Sequence, residues 1–129
     1  MALKITLKPN ERMIIGGAVI TNGSKGSSFV IENKVSVLRQ SDIMSEKAAD
    51  TPCRRIYLAI QLMYVDMENQ ATHYANYWNI AQDLVKAAPS MVGFVDQISE
   101  YIQSNRHYHA LKLTKKMIDY EQEVLNRVQ

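Results

Sequence analysis

The hydrophobic residues of this chain change period once, and that change limits what the chain can fold into. Up to Leu38 they come in strict alternation or in short runs, and from Pro52 onward they recur every three or four positions. Leu3, Ile5 and Leu7 alternate with Lys4, Thr6 and Lys8, the period-2 pattern of a strand with one apolar and one basic, polar face. Pro9-Asn10 ends it with turn chemistry. Met13-Ile14-Ile15 stops at Gly16-Gly17, a pair able to take the positive φ angles of a two-residue hairpin, and Ala18-Val19-Ile20 follows. After a polar loop at Asn22 to Gly26 come Phe29-Val30-Ile31, a turn at Glu32-Asn33, and Val35-Ser36-Val37-Leu38. Five short strands predict a small antiparallel sheet over residues 1–44.

Residues 45–129 read as about four helices. Thr51-Pro52 places a hydroxyl at an N-cap and proline at the first helical position, and Ile56, Ala59, Ile60 and Met63 follow at helical spacing. A second helix begins near Asp66 to Asn69 and carries Tyr74, Tyr77, Trp78, Ala81, Leu84 and Val85 up to the break at Pro89. A third holds Val92, Val95, Ile98, Tyr101 and Ile102. The last, from about Asn105, sets Leu111, Ile118 and Leu125 in a heptad-like row, widened by Met117, Val124 and Val128. The expected class is therefore α+β, with a β subdomain at 1–44 and an α subdomain at 45–129. No linker of low complexity separates them.

Composition narrows the function. With 47% hydrophobic and 22% charged residues the 129-residue chain is globular, and a net charge of +2 excludes a uniformly basic nucleic-acid coat. The most apolar stretch, Ile56 to Val65, is half the length of a membrane span and contains Gln61, and the N-terminus lacks the apolar core of a signal peptide. A single cysteine, Cys53, fits a reducing cytosol. Motifs of catalysis are missing. The glycines sit where hairpins need them, and His107 and His109, two apart on a helix, diverge too far to share a metal. Cys53 and His73 show no nucleophile–base pairing, so neither a metal, a cofactor nor a catalytic residue is expected.

The charges divide unevenly. Residues 1–44 hold six basic against three acidic residues, and the rest holds nine against ten. Lys4, Thr6 and Lys8 point the same way along the first strand, Arg39 follows the last strand, and Arg12 opens the second. Such an array can contact backbone phosphates, and an arginine fork can read a guanine edge; it can equally be a solvated lysine face that protects a sheet edge. Phe29 is the one aromatic of this half, so base stacking would fall to Arg12 and Arg39. In the helical half Tyr74, Tyr77 and Trp78 are core by spacing, with a tyrosine-rich groove for a partner peptide as the other reading.

The run Ala49-Asp50-Thr51-Pro52-Cys53-Arg54-Arg55-Ile56-Tyr57-Leu58-Ala59-Ile60-Gln61-Leu62-Met63-Tyr64 resembles the FlbT family of flagellin regulators. So do the opening Leu3 to Pro9 with Glu11-Arg12, Ile31 to Asn33, Leu38-Arg39 and Asp42-Ile43. The resemblance implies a cytoplasmic, post-transcriptional regulator of flagellum biogenesis that associates with the 5′ untranslated region of flagellin mRNA and lowers its translation or lifetime. Residues 3–43 are also similar, more weakly, to the carbon-storage regulator CsrA, a strand-swapped dimer that binds mRNA leaders. Glu11, Ile15-Gly16 and Val37 to Ile43 carry that likeness. It implies that Arg39 occupies the family's principal RNA-binding position, while the family's first-strand arginine falls on Leu7, beside Lys8.

Two functions follow as expectations. The first is an mRNA-binding repressor that reads its leader with Lys4, Lys8, Arg12 and Arg39. The second is an interaction module whose helices, through Tyr74, Tyr77 and Trp78, hold flagellin or a FlaF-type partner. A homodimer would remove the exposed edges of so small a sheet.

Overall fold

A computed structural model of the chain describes residues 2–128, without the side chain of Val128. All five strands and four helices are present, in the order β1 (Leu3–Leu7), β2 (Arg12–Ile15), β3 (Ala18–Thr21), β4 (Ser27–Ile31), β5 (Val37–Arg39), then α1 (Pro52–Val65), α2 (Gln70–Ala87), α3 (Val92–Gln103) and α4 (His107–Val128). The class is α+β, as expected. The chain divides into two compact units, residues 1–43 and 44–129.

In the first unit the five antiparallel strands are shared between two sheets, a β1–β4 ribbon and a three-stranded sheet ordered β3-β2-β5. Alternation explains the division. Ile5 and Leu7 of β1 are buried against Met13 of β2, and Ile15, Phe29, Ile31 and Val37 close round them, so each sheet gives one apolar face to a common core. Phe29 is thereby a packing residue, not a base-stacking platform. Leu3 belongs to the same face of β1 but is 49% exposed at its end. The β2–β3 hairpin turns at Gly16 and Gly17, with φ of 55° and 87°. A Cβ at Gly16 would come 2.7 Å from Val35 Cγ2, so both the backbone and the space require glycine there. Val35 itself lies outside β5, which begins at Val37.

In the second unit α1 packs on α2 and on α4, and α3 packs on α4. The start of α1 is held twice. Thr51 Oγ1 accepts from the Arg54 amide at 3.2 Å, and the buried Glu121 carboxylate accepts from Thr51 Oγ1 at 2.5 Å and from the Cys53 amide at 3.1 Å. A buried carboxylate is tolerable here because the positive end of the α1 dipole and two donors meet it. Gln61, the polar interruption in the apolar run, is likewise matched: it accepts from the Met44 amide at 2.7 Å and donates to the Met44 carbonyl at 3.0 Å.

The last helix departs from the spacing in its start and in its buried seam. α4 begins at His107 because Asn105, at φ 59°, ends α3 in a Schellman motif: the Arg106 amide donates to Tyr101 O at 2.8 Å and the Asn105 amide to Ile102 O at 3.0 Å. The buried seam of α4 also differs from the heptad row. Ala110, Leu111, Thr114, Met117 and Glu121 are buried, Ile118 is half-buried, and Leu125 is 43% exposed. Thr114 and Glu121 are invisible to a search for apolar residues, yet each sits on the seam with its polar atoms bonded, Thr114 Oγ1 donating to Ala110 O at 2.7 Å. Val128, placed on the row by spacing, has its side chain outside the described residues.

Gly16→Ala should destabilise the strand unit by about 1–2 kcal/mol, the cost of a left-handed alanine, read as a lower midpoint in urea. Glu121→Gln should cost about 1–3 kcal/mol, since one of its two donors then faces an NH2 group instead of an acceptor; an unchanged melting midpoint would mean that the carboxylate does not hold α1.

Candidate nucleic-acid interface

The outer face of the β1–β4 ribbon is built by register. Lys4 stands opposite Val30 and Thr6 opposite Ser28, so their side chains share the face turned from the core. Thr6 Oγ1 and Ser28 Oγ lie 3.2 Å apart, Lys4 and Lys8 are exposed, and Val30 is 53% exposed. The result is a shallow surface with two lysines, two hydroxyls and one apolar patch.

Arg39 reaches this strand from the other sheet. Its Nη2 donates to the Thr6 carbonyl at 2.7 Å and to Glu11 Oε2 at 3.3 Å. Its side chain is nevertheless 43% exposed, and among the described residues its hydrogen bonds come from Nη2 alone. The guanidinium is therefore anchored at one corner, with Nη1 and Nε available to a ligand. Because β1 pairs with β4 on one side only, this contact also occupies a carbonyl of an edge strand.

Glu11 makes the anchor possible. The turn Lys8-Pro9-Asn10-Glu11 closes through a 3.1 Å bond from the Glu11 amide to Lys8 O, with Asn10 at φ 61°, the pattern of a type II turn with proline at its second position. Glu11 Oε1 then accepts from the Lys8 amide at 2.9 Å while Oε2 faces Arg39. The Lys8 amide holds this carboxyl below the usual carboxylate value; burial opposes it, and the Arg39 guanidinium adds to the lowering. Asn22 secures the same corner: its Nδ2 donates to Lys8 O at 2.8 Å and Lys25 O at 3.0 Å, and its Oδ1 accepts from Ser27 Oγ at 2.9 Å.

Lys4 lies on β1, Lys8 directly after it, and Arg39 reaches the same strand at the Thr6 carbonyl, but Arg12 does not join them. Register pairs Arg39 with Met13, so those two share a face of the three-stranded sheet and Arg12, one residue before Met13, takes the opposite face. Sequence reasoning missed the parts played by Glu11 and Asn22. The signal for Glu11 was present in its place three residues after Lys8 across a Pro-Asn turn; that for Asn22 was not, since it ties its own loop at Lys25 and Ser27 to Lys8, fourteen residues away.

The aromatic set of α2 is also divided. Tyr77 is fully buried with its hydroxyl 2.6 Å from Ser99 Oγ, and burial pushes its phenol up to about 12. Trp78 is 40% exposed, and Tyr74 is half-buried, accepting from Gln103 Nε2 at 3.0 Å. A partner on this helix would meet Trp78 and the rim of Tyr74, not Tyr77. His73 Nε2 lies 2.8 Å from Asp66 Oδ2, a clip across the α1–α2 corner that lowers the Asp66 pKa. Burial, reinforced by Glu121, pushes the Cys53 thiol well above its ordinary value. Among the described residues no three His, Cys, Asp or Glu side chains converge as metal ligands, and no helix is long and apolar enough to cross a membrane.

Comparison with known proteins places this chain in a family. The family model described as flagellar protein FlbT matches residues 3–125. A protein of Bradyrhizobium diazoefficiens named probable flagellum biosynthesis repressor protein FlbT 1 is 40% identical over 125 residues, 96% of this chain and 85% of its own. One of the same name, without the number, from Caulobacter sp. (strain K31) is 37% identical over 99% of both chains. The flagellum biosynthesis repressor protein FlbT of Caulobacter vibrioides is 35% identical over 99% of this chain and 92% of its own. No solved structure matches significantly. With a family model covering nearly the whole length and relatives aligned end to end, the chain belongs to the FlbT family of flagellar proteins.

Proposed function

We propose that this protein is a post-transcriptional repressor of flagellin synthesis that acts in the cytoplasm by binding the 5′ untranslated region of flagellin mRNA with the outer face of β1. The observation that carries this reading is the half-exposed Arg39 guanidinium, tied by one nitrogen to the Thr6 carbonyl of the strand that presents Lys4 and Lys8. Lysines there hold phosphates as point charges, and the free side of the guanidinium supplies the planar fork that a base edge requires. The names of the relatives support repression. Arg12, on the opposite sheet face, has a lesser part, such as a distant phosphate contact.

A second reading, in which the helical unit holds flagellin or a FlaF-type protein, is favoured by the exposed indole of Trp78. Trp78→Ala should then abolish co-purification with the partner while leaving RNA binding intact, in a pull-down from which RNA has been removed.

Gel shifts with a flagellin leader over a salt series test the first reading. Arg39→Ala should weaken binding by about 1–3 kcal/mol, with Arg39→Lys failing to restore it. Lys4→Gln and Lys8→Gln should weaken all RNAs alike, each flattening the log–log salt slope by about 0.7. Salt-independent binding, or Arg39→Ala equal to the native protein, would overturn it.

Glu11→Gln separates the anchor from the reader. Because the folded pKa of Glu11 is depressed, its stabilisation is whole above the ordinary carboxylate value of 4.5 and is lost as pH falls through the lower folded value. The variant should be less stable than the native protein at pH 7 and equal to it in acid, as followed by circular dichroism.

A further inference from the structure

At the α3–α4 corner the helical unit has a groove of about 480 Å³, walled by Met63, Ala71, Tyr74, Ile102, Gln103 and His107. Neither an acidic side chain nor a lysine or arginine lines it. Its polar groups are amides, the Tyr74 hydroxyl and the His107 imidazole, and they lie among apolar side chains. His107 is 5% exposed, with its ring stacked near Tyr64 at a centroid distance of 6.5 Å. No hydrogen bond reaches its ring nitrogens among the described residues, where no fully buried side-chain nitrogen or oxygen lacks a partner, so these nitrogens keep some accessibility on a residue that lines the groove. Burial lowers its pKa and so favours the neutral ring, which donates at one nitrogen and accepts at the other.

The same corner carries a second, separate feature. α4 has no acidic residue in its first turn, and among the described residues no side chain accepts from the amides of His107, Tyr108 or His109. The contrast with α1, capped by both Thr51 and Glu121, is direct. The residue before α4 is Arg106, exposed, and a cation there works against the helix dipole unless an anion is shared between them.

We propose that this corner is a nucleotide site, in which an uncharged base enters the groove against Tyr74, Gln103 and His107 while its phosphate is taken by the first-turn amides of α4 and the Arg106 guanidinium. Amide and imidazole side chains match the mixed donors and acceptors of a base edge, and aromatic rings give it a face to lie on. The occupant is either a free mononucleotide or an unpaired nucleotide of RNA. The site does not depend on the strand surface of β1.

The test is a nuclear magnetic resonance titration of the full chain with the four ribonucleoside 5′-monophosphates, the matching nucleosides, and single-stranded ribotetranucleotides. Shifts should concentrate at residues 70–74 and 102–109, with a monophosphate binding roughly tenfold tighter than its nucleoside. Arg106→Gln should erase that advantage. Ala71→Trp, at an exposed helical position bordering the groove, should cut affinity by about tenfold without lowering the melting midpoint. Monophosphates binding while tetranucleotides do not identifies the free nucleotide as ligand, and tetranucleotides binding at least as well identifies RNA. No shifts at millimolar ligand, shifts confined to Lys4, Lys8 and Arg39, or an Ala71→Trp protein that binds like the native one would overturn the site. A protein lacking Lys4 and Lys8 tests the β1 reading separately, since it should keep mononucleotide binding.

Discussion

Where Arg39 lies is decided by one carbonyl and one carboxylate. Glu11 takes the Lys8 amide on one oxygen and the Arg39 guanidinium on the other, across the tight turn that joins β1 to β2. The Thr6 carbonyl takes the same guanidinium nitrogen, so the arginine of one sheet is held against the strand of the other. The Arg39 side chain is 43% exposed, so the pair's worth lies less in stability than in geometry: ion pairs open to water contribute little net free energy, yet a guanidinium held at one corner loses less freedom when a ligand arrives.

Legibility in the sequence followed the length scale of the interactions. The five strands and the α1 start were readable because alternation, Gly16-Gly17 and Thr51-Pro52 are local signals whose partners lie within a few residues. The division of five strands between two sheets was not, because pairing partners such as Leu3 with Ile31 are set by which apolar faces meet across the core. The seam of α4 misled for a chemical reason. Thr114 and Glu121 are polar by name, but one bonds its own helix and the other caps α1, so both can be buried at positions that an apolar pattern assigns elsewhere. Of the candidate residues, the placing of Lys4 and Lys8 along the first strand was legible from strand parity and the choice of Arg39 from family resemblance. That Arg12 lies on the opposite sheet face needed the register of β2 against β5.

The helical unit uses polar side chains as structural fasteners more than as chemistry. Gln61 imitates a strand partner for Met44, Tyr77 reaches Ser99, and Asp66 holds His73. Each of these bonds uses part of the group's hydrogen-bonding capacity inside the folded unit and leaves less of it for a ligand. The groove at the α3–α4 corner stands out by that measure, since His107 is as buried as these fasteners but is not used by them.

The environment of Cys53 has a practical side. The chain's one thiol lies fully inside the helical unit, next to the Glu121 carboxylate, and both burial and that charge favour its protonated form. Maleimides and iodoacetamides should therefore pass the native protein by. A cysteine introduced on an exposed strand or helix position will be the sole labelled atom, which opens the chain to fluorophore and spin-label distance measurements with no background to engineer away.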